Sequence, residues 1–195
     1  MKRDASGRIH FKIVFWGASP SGKTTALKWV HENVEGYNKG GFTSVDDPNG
    51  LTLYFDYTTL TSESNVIFDL YTVAGQKRHK HQRNVVLKGT DGVIFVVDSS
   101  RTMMPDNKFS IEELRDNLGD RLDRNLPIVI MLNKRDAPDS ITKKILLSEL
   151  GLDRYHAYET IATRGIGIKS AFTSLSREIL AKNLQKIEDK QRKAS

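Results

Sequence analysis

The chain carries Gly17-Ala18-Ser19-Pro20-Ser21-Gly22-Lys23-Thr24, which fits the pattern G-x-x-x-x-G-K-[ST]. An apolar run, Phe11–Trp16, precedes it and predicts a buried strand, and a helical pattern over Lys23–Val34 follows it. In this setting the glycines let successive backbone N–H groups point at one anion, and the helix N-terminus adds its positive dipole end. The sequence therefore predicts a site for the phosphates of a nucleotide.

The chemistry of phosphate binding assigns a role to each part of this loop. Lys23 is predicted to reach the β- and γ-phosphates, and the Thr24 hydroxyl to ligate Mg²⁺. We predict that the nucleotide contacts every residue from Gly17 through Thr25. One member of this set, Pro20, has no N–H to donate.

A second motif predicts which base is bound. Asn133-Lys134-Arg135-Asp136 closes the apolar run Ile128–Leu132, at the carboxyl end of a predicted strand. Open parallel sheets bind ligands at that edge. The Asp136 carboxylate can accept hydrogen bonds from N1–H and the exocyclic amine of guanine, whereas adenine would leave it unpaired. The motif therefore predicts a guanine nucleotide rather than ATP.

Composition indicates an ordinary globular protein. The 195 residues are 38% hydrophobic and 28% charged, with no cysteine, which predicts a single domain over residues 1–195 with flexible tails at 1–7 and about 188–195. Without cysteine there is no disulfide, thiolate catalysis or Cys-based zinc site. No apolar run approaches twenty residues, and neither a signal peptide nor a lipidation motif is present. We expect a cytoplasmic monomer with no membrane span or lipid anchor.

The net charge of +6 is concentrated in Lys77–Arg83 and in the tail from Lys182 onward. Aromatic residues do not alternate with these basic residues, as they do on surfaces that bind single-stranded nucleic acid. We interpret the charge as a solvated surface and predict no nucleic-acid partner.

Apolar and helical segments alternate along the chain, which predicts an α/β fold with a mostly parallel sheet of six strands, one of them an antiparallel edge strand, and helices on both faces. The region 36–50 is rich in Gly and Asp and predicts a mobile loop. The predicted strands are Phe11–Trp16, Leu51–Leu60, Val66–Val73, Val93–Asp98, Pro127–Asn133 and His156–Ile161. The predicted helices are Lys23–Val34, Ser110–Leu122, Ile141–Leu150 and Ile168–Ile187.

Further segments support a family resemblance. They are Thr52-Leu53-Tyr54-Phe55-Asp56, Leu70-Tyr71-Thr72-Val73-Ala74-Gly75-Gln76, Lys88-Gly89-Thr90-Asp91-Gly92-Val93 and Ala162-Thr163-Arg164-Gly165-Ile166-Gly167. With the two motifs above, they make the chain resemble Ras-like small P-loop GTPases from about Phe11 to Leu184. The resemblance is closer to the MglA-type GTPases of bacteria and archaea, the gliding and cell-polarity switches. It implies a switch that binds Mg²⁺ and GTP, hydrolyses GTP to GDP, and works with effectors and a roadblock/MglB-like activator.

The resemblance also implies roles for single residues. Gln76 would orient the attacking water, and the Gly75 N–H would contact the γ-phosphate, so Gln76, Gly75 and Lys23 form the predicted catalytic set. The Ala162 N–H would donate to guanine O6, and Thr163 stands where small GTPases have a lysine. The predicted magnesium ligands are Thr24, Thr52 and Asp56, and Thr43 is the alternative to Thr52.

The chain departs from the Ras pattern at several positions. Thr72 replaces the usual magnesium-site aspartate; Asp56 is its candidate replacement, while Asp69 lies about 10 Å back along the strand. Pro20 removes a phosphate-facing N–H, and Leu51 occupies the position of an expected arginine. These departures predict slow intrinsic hydrolysis. They also leave open the alternative of a non-hydrolysing GTP-binding subunit of a larger assembly.

Overall fold

The structure is a computed structural model that describes residues 2–44, 55–75, 80–124 and 126–194. Strands and helices alternate through most of this part of the chain. The strands are β1 Lys2–Arg3, β2 Ile9–Trp16, β3 Tyr37–Lys39, β4 Tyr57–Ser62, β5 Val66–Thr72, β6 Gly92–Asp98, β7 Ile128–Asn133 and β8 His156–Glu159. The helices are α1 Lys23–Asn33, α2 Lys80–Leu87, α3 Met104–Leu118, α4 Asp120–Arg124, α5 Lys143–Leu150 and α6 Ile168–Ala194, with 3₁₀ turns at Arg101–Met103 and Ala162–Arg164.

The described strands form one sheet of eight, in the order β3-β4-β5-β2-β6-β7-β8, with β1 beside β2. Strands β5, β2, β6, β7 and β8 run parallel, whereas β4 pairs antiparallel with β5 through a short polar turn. This arrangement confirms the predicted α/β fold with its antiparallel hairpin. The parallel strands end along one edge, where their following loops meet.

Apolar side chains cover both faces of the sheet. In β2, Val14 and Trp16 join the core beneath α3 and α5, while Ile13 and Phe15 join the core beneath α1 and α6. Every residue of β6 and β7 is buried, because helices cover both faces of these central strands. This burial explains why these strands read as continuous apolar runs in the sequence.

The sheet has eight described strands rather than the predicted six, because the short strands β1 and β3 lack the apolar pattern on which the prediction was based. The polar strand β3 lies within the predicted 36–50 loop and pairs with β4. The strand predicted over Leu51–Leu60 begins at Tyr57, and residues 51–54 lie outside the described part of the chain. Strand β8 ends at Glu159, before the predicted Ile161.

Helix bounds differ where local chemistry outweighs apolar periodicity. Helix α3 begins at Met104 instead of Ser110, because proline is favourable in the first helical turn. It ends at Leu118, since Gly119 adopts a positive φ of 48°, and α4 follows as a separate element. Helix α2 was not predicted, and α6 continues past Ile187 to Ala194. No helix among the described residues is long and apolar enough to cross a membrane.

The amino-terminal residues form a hairpin where a flexible tail was predicted. Strand β1 pairs with the start of β2, and the turn is held by Asp4, whose Oδ1 accepts the Ser6 and Arg8 amides at 3.0 Å. His10 lies between two carboxylates: Nδ1 is 2.8 Å from Asp69 Oδ2, and Nε2 is 3.4 Å from Asp4 Oδ2. The hairpin is thereby fastened to β5.

This setting makes a pH-dependent contribution to stability. Burial lowers the pKa of His10, but the hydrogen bonds and charges of Asp69 and Asp4 outweigh it and raise the pKa above 6.5. A raised folded-state pKa stabilises the protein below the unfolded pKa, and this contribution is lost as pH rises through the folded pKa. We expect urea unfolding to show wild type more stable than His10→Gln at about pH 6, with the difference shrinking toward about pH 9.

The matched control is His156→Gln, because His156 is exposed on β8. It should show no such pH-dependent difference from wild type. A His10→Gln difference that stays constant across this range would contradict the assignment.

Candidate functional site

A cleft of about 450 Å³ opens at the carboxyl edge of the sheet. It is formed by the loops that follow β2, β5, β7 and β8. Most residues predicted from the sequence to contact nucleotide line it: Ser19, Pro20, Ser21, Gly22, Lys23, Thr24, Thr25, Gly75, Asn133, Lys134, Asp136, Ala162 and Thr163. Val73, Ala137 and Ile161 complete the lining, whereas Gly17 and Ala18 are buried and do not line the cleft.

The glycines of the first motif are required by close packing. Gly17 has φ 153°, and a Cβ there would lie 2.2 Å from the Val96 carbonyl oxygen. Gly22 has φ 96°, and its Cβ would lie 2.3 Å from Asn133 Nδ2. Both distances are far below van der Waals contact, and the positive φ adds strain for any other residue. Only glycine fits at these two positions.

Lys23 begins α1 and is only 7% exposed. Its ammonium donates to the Ala18 carbonyl at 2.9 Å. Burial, together with the positive charge of Arg83, lowers the pKa of Lys23 to about 7, and the opposite charge of Asp56 only partly offsets this. A desolvated ammonium of this kind gains strongly from a nearby anion, as a phosphate would provide.

Asn133 ties three loops together. Its Nδ2 donates to the Ser21 carbonyl at 2.7 Å, and its Oδ1 accepts from the Ala162 amide at 2.9 Å and the Thr160 hydroxyl at 3.2 Å. The phosphate loop and the base loop are therefore held in one fixed relation. In this structure the Ala162 N–H has Asn133 Oδ1 as its partner, as a buried amide requires. Its contact with guanine O6 stays a prediction.

The loop after β7 presents Lys134 and Asp136 to the cleft. Lys134 adopts φ 59°, and its ammonium lies 2.6 Å from Asp98 Oδ2. Asp98 ends β6 and is 1% exposed, so the ion pair fixes the direction of the lysine stem. Asp136 is exposed at the mouth. Asp98 was not predicted, because nothing in the sequence joins it to a residue so far along the chain.

Three hydroxyl groups converge on the buried carboxylate of Asp56, which is 0% exposed. Oδ2 accepts from Thr24 at 2.7 Å and from Thr72 at 2.6 Å, and Oδ1 accepts from Ser44 at 2.7 Å. The Asp56 amide also donates to the Thr72 hydroxyl at 2.9 Å. Thr72 therefore orients the carboxylate that was predicted to replace an aspartate at position 72.

Ser44, rather than Thr43, brings its hydroxyl to this carboxylate. Thr43 is exposed and exchanges two backbone hydrogen bonds with Tyr57, both at 2.9 Å. The next side chain along extended backbone points the opposite way, which brings the Ser44 hydroxyl to Asp56. Thr52 lies outside the described residues. Asp69 takes no part, since it bonds His10 and Tyr57.

The residues around Asp56 fit a magnesium ion. The Thr24 hydroxyl and the Asp56 carboxylate are both oxygen donors, which Mg²⁺ prefers, and Mg²⁺ normally keeps several waters and phosphate oxygens besides one or two carboxylates. The described residues hold no cluster of three or more His, Cys, Asp or Glu side chains. Phosphate oxygens and water would have to complete such a site.

Gly75 lies directly against the phosphate loop. A Cβ there would sit 2.6 Å from the Ser19 nitrogen and 2.7 Å from the Lys23 ammonium. No larger residue fits without displacing the loop. Gln76, predicted to be catalytic, and Leu51, at the position of the expected arginine, lie outside the described residues.

Comparisons with known proteins agree with this geometry. A model described as the ADP-ribosylation factor family matches residues 2–190. The chain is 34% identical over 182 residues to the mutual gliding-motility protein MglA of Myxococcus xanthus, covering 90% of this chain and 93% of that protein. It is 30% identical over 184 residues to ADP-ribosylation factor-like protein 6 of Caenorhabditis elegans, covering 89% of this chain and 88% of that protein. The chain therefore belongs to the ADP-ribosylation factor family, as a small Ras-like GTPase of the MglA type.

Proposed function

We propose that this GTPase is a molecular switch that binds GTP with Mg²⁺, hydrolyses it slowly and regulates polarity or motility with an activator partner. The observation that supports it best is the union, in one cleft, of the Lys23 ammonium with the Asn133–Asp136 loop. The first suits phosphates and the second suits guanine. The geometry of Asn133 keeps the two at a fixed separation.

In this proposal the phosphates lie over Lys23 and the amides at the start of α1. The helix N-terminus and the buried ammonium both favour negative charge. The guanine edge meets the Asp136 carboxylate, and the Lys134 stem covers one face of the ring. The ion pair with Asp98 holds that stem in place.

Thr24 and Asp56 would hold Mg²⁺, which would supply charge neutralisation at the phosphates. In the structure these two groups bond one another at 2.7 Å. Binding would therefore exchange a hydroxyl–carboxylate hydrogen bond for two ion contacts. Thr72 would keep the carboxylate oriented through this exchange.

The proposed slow rate rests on two groups that Pro20 and Leu51 do not supply. Gln76 would orient the attacking water, and the Gly75 N–H would donate to the γ-phosphate. Pro20 offers no N–H where charge develops in the transition state, and loss of one such donor can cost about 3 kcal/mol. Leu51 offers no guanidinium, so a roadblock/MglB-like activator is the proposed source of acceleration.

The pathway assignment rests on one relative. The Myxococcus protein is named for mutual gliding motility, and we extend motility or polarity control to this chain on the basis of that likeness. The proposed partners are a roadblock/MglB-like activator and effectors that recognise the GTP-bound state.

Single-turnover hydrolysis of GTP with Mg²⁺ tests the catalytic part. We expect wild type to turn over more slowly than about 10⁻² s⁻¹, the rate of GTPases with an arginine in cis. Gln76→Ala should lower the rate about tenfold or more, because the water loses its orienting group. Gln82→Ala, a matched change on α2, should leave the rate near that of wild type.

Equal rates for wild type and Gln76→Ala would contradict the role of Gln76. Tight GTP binding without turnover, with or without a roadblock-type protein, would instead favour a nucleotide-stabilised assembly subunit.

A further inference from the structure

Arg83 on α2 is buried, which corrects the interpretation of its charge as part of a solvated surface. It is 2% exposed, and its guanidinium lies 5.9 Å from the centre of the Trp16 ring. Nη2 and Nε donate to Glu113 Oε1 on α3 at 2.7 and 3.2 Å. Nη1 donates to the Ala74 carbonyl at 3.0 Å.

Stability alone is a weak reason for such an ion pair. Desolvating two charges offsets most of their attraction, and apolar residues of similar volume often stabilise a protein as well. The feature that an apolar substitute could not reproduce is the directed hydrogen bond to Ala74. The role of Arg83 therefore depends on what that carbonyl positions.

The Ala74 carbonyl and the Gly75 N–H belong to one peptide group. That peptide is trans, since the Ser19–Pro20 bond is the one cis peptide among the described residues. In a trans peptide the C=O and N–H point in opposite directions within one plane. The Ala74 carbonyl points at the Arg83 guanidinium, so the Gly75 N–H points away from it.

The position of Gly75 shows why that direction matters. Its Cα lies against the phosphate loop, with the Ser19 nitrogen and the Lys23 ammonium as nearest neighbours of a Cβ. Gly75 also lines the cleft. In the proposed binding mode an amide held at this place would face the third phosphate, which a diphosphate lacks.

We propose that Arg83 is the positioning residue that aims the Gly75 N–H at the γ-phosphate, with Glu113 anchoring its guanidinium to α3. This inference rests on the proposed function. It makes discrimination between GTP and GDP depend on a buried ion pair that does not touch the nucleotide. Movement of α2 relative to α3 would then change the direction of the Gly75 N–H at the γ-phosphate.

The test compares binding of GDP with binding of guanosine 5′-(β,γ-imido)triphosphate, a GTP analogue that resists hydrolysis. Arg83→Met keeps the side-chain length but loses every hydrogen bond. We expect it to weaken the triphosphate analogue about tenfold relative to wild type. Binding of GDP should change by less than about twofold, because GDP has no γ-phosphate to contact.

Arg121→Met is the matched control. Arg121 also donates to a backbone carbonyl, that of Thr90 at 2.8 Å, but it lies away from the cleft. It should leave both affinities unchanged. If Arg83→Met does not fold, Arg83→Lys serves instead, since it keeps the charge and loses the paired geometry toward Glu113 and Ala74.

Equal weakening of both nucleotides by the Arg83 variant would show a purely structural role and overturn the proposal. An Arg83 variant that binds both nucleotides as tightly as wild type would overturn it as well. A wild-type protein that binds neither nucleotide would overturn the proposed function itself, so the two failures are distinguishable in one assay.

Discussion

Asp136→Asn is expected to lower the affinity for GTP by about 10²–10⁴-fold. The neutral amide removes the charge that strengthens both hydrogen bonds, which are worth about 1.5–3 kcal/mol each, and its NH2 faces a guanine donor from which it cannot accept. The same change should raise the affinity for xanthosine triphosphate. Xanthine carries a carbonyl in place of the 2-amino group, and the asparagine amide can donate to it. Competition of GTP and of xanthosine triphosphate against a fluorescent guanine nucleotide measures the ratio of the two affinities in wild type and in the variant.

Asp139→Asn is the control for this change. Asp139 is exposed three residues further along, and its carboxylate accepts from the Arg101 amide at 3.1 Å, outside the cleft. It should leave both affinities near wild type. Loss of GTP affinity without any gain for xanthosine triphosphate would mean that Asp136 does not meet the edge of the base.

Asp56→Asn is expected to weaken the Mg²⁺-dependent binding of nucleotide about 10–100-fold. This is the usual effect of altering a group that holds or orients a metal. The amide keeps the shape of the carboxylate but removes the charge that faces Thr24 and Thr72. The rate at which a fluorescent GDP dissociates, followed as Mg²⁺ is titrated, measures this. Wild type should need EDTA for fast release, whereas the variant should release quickly at millimolar Mg²⁺.

Asp69→Asn provides the matched change on the neighbouring strand. That carboxylate bonds His10 and Tyr57 away from the cleft, so its loss should leave the magnesium dependence intact. Identical magnesium dependence for wild type and Asp56→Asn would place the ion elsewhere.

Much of the fold follows from sequence because its strongest signals are local. Strands β6 and β7 are buried on both faces and appear as unbroken apolar runs. The two glycines of the phosphate loop are required by close contacts with Val96 and Asn133. Their spacing in the sequence therefore predicts the geometry of the loop. Strand, loop and helix were therefore predictable in order.

The parts that escaped prediction depend on long-range pairing. Strand β3 has no apolar alternation and exists because its backbone pairs with β4. Asp98 becomes relevant only when β6 and β7 lie side by side and bring it to Lys134. Ser44 reaches Asp56 because Thr43 pairs with Tyr57, a register that composition does not reveal.

A single-turnover assay that offers the purified chain GTP or ATP with Mg²⁺ tests the GTPase switch most directly. We predict slow conversion of GTP to GDP and no measurable conversion of ATP, because the Asp136 carboxylate has no partner on adenine. Intact GTP after many hours, or conversion of ATP at a similar rate, would contradict it.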